Sequence, residues 1–460
     1  MEQIRPQNKN KFGNWIKTSI TARMLMVGLL TLILLVPLSF IESLISERSF
    51  RQSEVVNEIS AKWGKEVLVY GPILKIPYKS FQEKTVTDAK TKQVYMETIE
   101  TIKYAYFFPE TLNISSNINP EEKKRGIYKT AVYQSEMNIS GSFLKPDFSE
   151  IDLEDQHIIW EKAKIVLQTS NLKGVNDLVS MNFNKTSYPF SSKYGGKNNN
   201  ISPFEITLHT LESKAIDKSD LPIKNAMSFN MDLNINGSKQ ISFIPIGKET
   251  KTDIVSNWKT ANFFGEFLPY NEDKIKENGF DAKWKVLDIN RAFSQQHFNY
   301  LPNLNEFAFG VNFMIPVDEY QKSERSVKYG FLVIGLTFLI FFLIQTMSKI
   351  AIHPFQYLMI GLALTMFYTL LVSISEHSNF LKAYLIAGIS VIVLITLYSK
   401  SILKTYKFPL LIATSLTALY AFIYIIIQLE NYALIVGSIG LFIILAVVMY
   451  VSRKIDWSNG

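Results

Sequence analysis

The chain has 460 residues, of which 47% are hydrophobic and 19% charged, with a net charge of +7 and no cysteine. The cysteine count excludes disulfides, thiolate metal sites, iron–sulfur clusters and cysteine nucleophiles. A basic chain raises the question of nucleic acid, yet residues 43–327 hold 35 basic and 36 acidic side chains, and the other 175 residues hold 13 and 5. The surplus sits in the apolar ends, which excludes a basic nucleic-acid groove in the long central segment.

Residues 1–23 form a basic N-terminus, and residues 24–41 are the first of six uncharged runs. About 20 helical residues cross a hydrocarbon layer of ~30 Å. This first run is too long for a signal-peptide core, and no small-residue cleavage pattern follows it, so it is expected to stay as a signal anchor. Pro37 inside it is tolerable in a span. The pattern over 43–63 extends the helix outward, with Gly64 and later Gly71-Pro72 as stop signals.

Strand-like alternation then runs through 67–78, 101–108, 126–143, 157–169, 204–211, 227–244, 282–289 and 307–317. Asn236-Gly237 between two such runs reads as a hairpin turn. The polar, Gly/Asn-rich stretch 191–203 reads as a long loop. Regular short strands predict a β-rich domain over 42–327, either a sandwich or a large twisted antiparallel sheet.

Five further uncharged runs follow at 329–347, 357–375, 383–399, 408–427 and 432–451, giving a five-helix bundle over 328–452 and a tail at 453–460. The short flanks set the orientation. Arg5, Lys9, Lys11, Lys17, Arg23, Lys349, Lys400, Lys404, Lys407, Arg453 and Lys454 fall on one side, and only Lys328 and Lys382 on the other. That 11-to-2 division predicts both termini in the cytoplasm and 42–327 exported.

Chemistry is sparse along the chain. His157, His209, His297, His353 and His377 show no ligand spacing and no H-E-x-x-H pattern. Neither G-x-S-x-G nor G-x-G-x-x-G occurs, and Gly195-Gly196-Lys197 lacks the rest of a phosphate loop. Asp152, Glu154 and Asp155 lack calcium-loop spacing and read as a solvated turn. The spans carry only weakly polar residues, Gln345, Thr365, Thr369, Thr414 and Thr417, where pumps keep ionisable groups. Glu376-His377 stands at the outer end of the third run. A carboxylate beside an imidazole there could sense pH, grip the exported domain or serve an interfacial hydrolase. The plainer expectation is a pair of interfacial residues facing water.

Several strings resemble the CreD family of bacterial inner-membrane proteins: VYGPILKIPY at 69–78, RGIYKTAVYQSEMNISGSF at 125–143, SNWKTANFFGEFLP at 256–269 and RSVKYGFLVIGLTF at 325–338. The most specific is HPFQYLMIGLALTMFYTLLVSISEH at 353–377, and IDW at 455–457 closes the series. The motif positions of unknown role are Trp258, Phe264, Gly265, Phe267, Leu268, Pro269, His353, Pro354, Tyr357, Glu376, His377, Asp456 and Trp457. The resemblance implies a Gram-negative inner-membrane protein tied to envelope integrity, with no catalytic residue to carry over. The expectation is therefore a non-enzymatic protein without cofactor or metal, set in the lipid bilayer, presenting its β-rich domain to an envelope protein, lipid or peptidoglycan-related partner. The alternative is a transporter or lipid-handling protein whose bundle holds a path lined by Thr365, Thr369, Thr414 and tyrosines.

Overall fold

A helix with apolar side chains on every face suits lipid better than water, and six helices of the computed structural model have that character. The structure describes residues 19–87, 94–183, 186–193, 207–223, 226–313, 319–348, 350–403, 405–429 and 432–453. They fall into two units, one built from residues 1–53 and 317–460, the other from 54–316.

In the first unit, α1 (Ile20–Trp63) is followed much later in the chain by α2 (Glu319–Lys328), α3 (Gly330–Ser348), α4 (Pro354–Ser375), α5 (Phe380–Leu403), α6 (Lys407–Gln428) and α7 (Ala433–Ser452). All but α2 are long and apolar enough to cross a membrane. The six expected runs are thus present, each as a helix that starts or stops a few residues beyond its uncharged stretch. Between 39% and 50% of the apolar stretch of α3–α6 is buried, against 11% for α1 and none for α7. Two glycines receive α1: Leu34 lies against Gly361 of α4, and Leu38 against Gly330 of α3. Between α4, α5 and α6 the space is filled by rings, with Phe367 against Tyr368, Tyr384 and Tyr420 at centroid distances of 4.9, 5.2 and 4.5 Å.

The helix α1 continues past its apolar stretch to Trp63, as the polar pattern requires, and Gly64 at φ 154° ends it. The second unit then adds β1 (Val67–Thr87), β2 (Val94–Phe107), β3 (Thr111–Arg125), β4 (Tyr128–Phe143), β5 (Lys164–Thr169), β6 (Ser180–Phe183), β7 (Thr186–Lys193) and β8 (His209–Ser213). After these come β9 (Met227–Ser238), β10 (Gln240–Phe243), β11 (Glu249–Ser256), β12 (Ala261–Gly265), β13 (Ile275–Lys276), β14 (Gly279–Leu287), β15 (Gln296–Phe298) and β16 (Phe309–Phe313).

Sixteen strands form one sheet in the order β12-β16-β10-β1-β5-β8-β7-β6-β9-β4-β3-β11-β14-β13, with β2 and β15 branching from β1. Its two ends approach each other. Phe263 of β12 packs on Phe280 and Trp284 of β14 at 5.6 and 5.8 Å, and Phe309 of β16 packs on Trp284 at 5.4 Å. The sheet therefore curls almost closed around a single apolar core that includes Ile73, Leu112, Ile139, Phe183, Phe243 and Trp284.

Three sequence expectations need correction or restriction. Asn236-Gly237 is no hairpin turn, because both residues lie inside β9 and pair with Gln134 and Tyr133 of β4. A side chain at 237 would run into the Tyr133 ring, so glycine serves close packing there. The chain leaves β9 at Lys239, φ 63°, and β10 joins β1 and β16 instead. The sheet is not wholly antiparallel either, since β1 pairs with β10 and β3 with β11 in parallel. Long intervening segments supply the crossovers that parallel pairs demand. Of the loop expected at 191–203, Ser191–Lys193 belong to β7, and the remainder, with Gly195-Gly196-Lys197, lies outside the described residues.

Candidate functional site

The string His353–Tyr357 is a helix start written in side chains. His353 caps α4, its Nδ1 accepting the Phe355 N–H at 3.2 Å. Gln356 answers by accepting the His353 N–H at 2.9 Å. Together they form a capping box. Pro354 stands in the first turn, where its missing N–H costs nothing. One residue into the span, the buried Tyr357 hydroxyl donates to Gln345 Oε1 of α3 at 2.8 Å. That bond satisfies the amide oxygen that the sequence placed unexplained in a span.

At the far end of α4, Glu376 is the C-cap residue. Its Oε1 accepts the Tyr320 hydroxyl of α2 at 3.2 Å and lies 3.6 Å from Arg48 Nε of α1. One carboxylate thus ties α1, α2 and α4 together, with its side chain 15% exposed. His377 is exposed, and its backbone N–H bonds Ile374 of its own helix. The adjacency in sequence is not a shared site: Glu376 is engaged by Arg48 and Tyr320.

The threonines expected to line a path do not converge. Thr369 and Thr414 are exposed, and the one buried member, Thr365, donates to the Leu362 carbonyl of its own helix at 2.8 Å. Asp456 and Trp457 lie outside the described residues.

The 256–269 string builds strand β12 and the turn behind it. Gly265, φ 101°, brings the chain so close to Ala308 and Phe309 that no side chain fits. Phe267 packs on Phe309 at 6.2 Å, and its carbonyl accepts Trp284 Nε1 at 3.1 Å. Trp258 and Phe264 are half-buried and Pro269 is buried, whereas Leu268 is 67% exposed. Most of the string closes the sheet, whereas the Leu268 side chain faces outward.

Sequence reading missed the densest charge cluster. Glu212 of β8, 6% exposed, accepts Lys75 at 2.8 Å through Oε1, and Lys164 at 3.3 Å and Lys193 at 3.0 Å through Oε2. Lys75 also stands 4.3 Å above the Tyr104 ring. Burial alone would raise the Glu212 carboxyl, but the hydrogen bonds and charges of Lys75 and Lys193 outweigh it and bring it down to about 2. The one available signal was a lysine interrupting the apolar run VLVYGPILKIPY. Arg291 was missed as well. It is 7% exposed and donates to the carbonyls of Phe293, Ile246 and Gly247 at 3.0, 3.2 and 3.3 Å, and burial lowers it to about 10. A cleft of about 1060 Å³ lies between the end of α1 and the sheet, with Glu58, Ser60, Asn171, His209, Ser238 and Lys239 among its lining residues. Among the described residues no three His, Asp or Glu side chains are grouped to hold a metal ion.

With this geometry in place, comparison with known proteins is decisive. A family model described as inner membrane protein CreD matches residues 19–458. The chain belongs to the CreD family. It is 29% identical over 436 residues to the inner membrane protein CreD of Escherichia coli (strain K12), covering 93% of this chain and 91% of that protein. This CreD-family chain is accordingly an inner-membrane protein whose apolar helices include its membrane-spanning segments. The match runs through both units, so the β-rich unit is as much a part of the family's plan as the spans are.

Proposed function

We propose that this CreD-family protein sustains the integrity of the cell envelope without catalysing a reaction, by presenting its β domain to an envelope partner. In this reading both termini are cytoplasmic and the β domain stands in the periplasm. The observation that carries it is a difference in engagement. The motif residues His353, Tyr357 and Glu376 of α4 and its caps are bonded inside the helical unit. By contrast, β1 and β2 run on past the sheet as a two-stranded ribbon with Phe81, Val94, Met96 and Ile102 exposed at 47–71%. Exposed apolar side chains grouped in this way are what a partner covers.

The test is deletion of the gene, followed by challenge with detergent, envelope-directed agents and osmotic shock. Raised sensitivity, restored by the intact gene, is expected, and unchanged sensitivity refutes the role. Glu376→Gln and His377→Ala should each complement the deletion; failure of both with normal protein levels would favour an interfacial enzyme. For orientation, single cysteines replacing Ser192 and Ser401 separate the two sides. An impermeant thiol reagent should reach the first and not the second, and the opposite pattern reverses the topology.

A further inference from the structure

The registers put the charge cluster and the ribbon on one continuous surface. Lys75 of β1 is opposite Lys164 of β5, and Glu212 and Lys193 occupy the same face two and three strands along. Residues directly opposite in an antiparallel pair share a face, and every second residue repeats it. From Lys75 the β1–β2 register therefore carries the same face through Tyr104, Ile102, Phe81, Met96 and Val94. Ile99 points to the other side. Two features of this face matter chemically. Three ammonium groups surround one carboxylate, which leaves two positive charges unmatched within the cluster, and the Lys164 and Lys193 side chains are 36% and 61% exposed. Next to them lies a strip of exposed apolar side chains, crossed by the Lys79–Glu100 ion pair at 3.0 Å.

We infer that this face binds one anionic phospholipid, with its phosphate against Lys164 and Lys193 and an acyl chain laid along Tyr104, Ile102 and Phe81. This rests on the reading of the β domain as the partner-binding part and names the chemistry of the partner. Dimensions agree. Lys75 and Phe81 are six residues apart, roughly 20 Å of strand, and one leaflet of a hydrocarbon core is about 15 Å deep. Charge selects among occupants. An acidic peptide would leave the apolar strip uncovered, and an apolar strand added to the ribbon would leave the lysines unmatched. Only an anionic head joined to an apolar tail meets both at once.

The chain's freedom from cysteine makes the test local. Thr98 shares this face, opposite Glu83. The full-length protein carrying Thr98→Cys with an environment-sensitive dye, held in phosphatidylcholine nanodiscs, is titrated with dioctanoyl phosphatidylglycerol, dioctanoyl phosphatidylcholine and inorganic phosphate. A saturable dye shift with phosphatidylglycerol alone is expected, weakened roughly tenfold or more in Lys164→Gln/Lys193→Gln, which removes two charge-assisted contacts. Phe81→Ser, far from the lysines, should weaken it as well. Equal response to phosphatidylcholine, equal affinity for phosphate, or binding that survives the lysine double variant overturns the inference. The envelope role fails separately, on the deletion phenotype: lipid binding with normal stress tolerance would retire that role and leave the site standing.

Discussion

The two units satisfy their polar side chains in opposite ways. In the helical unit the engaged Ser and Thr hydroxyls typically bond a carbonyl three or four residues back on their own helix, as Thr31, Thr346, Ser348, Thr396 and Ser438 do. Bonds between helices are few and specific, such as Tyr357 to Gln345 and Tyr384 to the Tyr420 carbonyl at 2.8 Å each. In the β domain the polar groups reach across the chain. Lys75 meets Glu212, Tyr133 donates to the Gln240 carbonyl at 2.7 Å, and Gln295 donates to the Pro109 carbonyl at 2.7 Å. Locally satisfied hydroxyls keep a helix acceptable to lipid but specify little about its neighbours. Long-range polar bonds do the reverse, because each is made only when distant strands take one register.

Breaking the most connected of those long-range groups should therefore cost most. Arg291→Leu removes one donor from each of the Ile246, Gly247 and Phe293 carbonyls, the first two keeping Gln295 and Thr250, and should destabilise the β domain by about 3 kcal/mol. The measurement is thermal unfolding followed by tryptophan fluorescence, alongside protease resistance. A loss below ~0.5 kcal/mol, the level of an ordinary surface change, would end the claim that such bonds hold this domain.

Next in size is Glu212. A carboxyl whose ordinary value of 4.5 falls to about 2 on folding stabilises the folded state above pH ~4.5, and that contribution disappears as pH falls toward 2. Glu212→Gln should thus be less stable than the native protein at pH 7, by on the order of 2 kcal/mol. The gap should close between about pH 4.5 and 2 in parallel melts. A gap independent of pH would show that packing, rather than charge, is at stake.

The same contrast explains what could be read from sequence. Long apolar helices need only continuous apolarity, so each of the six is visible in the sequence as an uncharged run, and the polar continuation of α1 was legible from its periodicity and Gly64. Strands were legible where the inward face is aliphatic or aromatic, as in β1, β4 and β9. They were illegible where that face is hydroxylic. In β11 the buried positions are Thr250, Thr252, Ile254 and Ser256. Alternation then vanishes from any hydrophobicity pattern although the strand is as buried as its neighbours. Candidate site residues followed a parallel rule. His353, Pro354 and Glu376 were conspicuous because they interrupt apolar sequence; His353 bonds within its own helix start, and Glu376 reaches α1 and α2. Lys164, Lys193 and Glu212 are unremarkable on polar strands, and only strand order brings them together.

A smaller effect tests the helical side of the comparison. Gly361→Leu should push Leu34 out of its seat and weaken the docking of α1 by about 1–2 kcal/mol. Leu34→Ala, harmful alone, should recover part of that loss when combined with it. Simple additivity in detergent melts would mean that α1 is not seated there.

The smallest expected effect is also the sharpest test of a transport path. Thr414 bonds the Leu410 and Leu411 carbonyls at 3.1 and 3.0 Å, and Thr417 bonds the Ala413 carbonyl at 2.8 Å. Both side chains are exposed and both acceptors belong to α6 itself. Valine keeps the shape and removes only a hydroxyl that shares an already engaged carbonyl. Thr414→Val/Thr417→Val should therefore change stability by less than about 0.5 kcal/mol and leave stress tolerance intact. A cargo route through the bundle would need those hydroxyls as ligands, and the double variant would then lose complementation while folding normally. That result would move the working surface of the protein from the β domain into the spans, and would show that a locally bonded hydroxyl can still be a functional one.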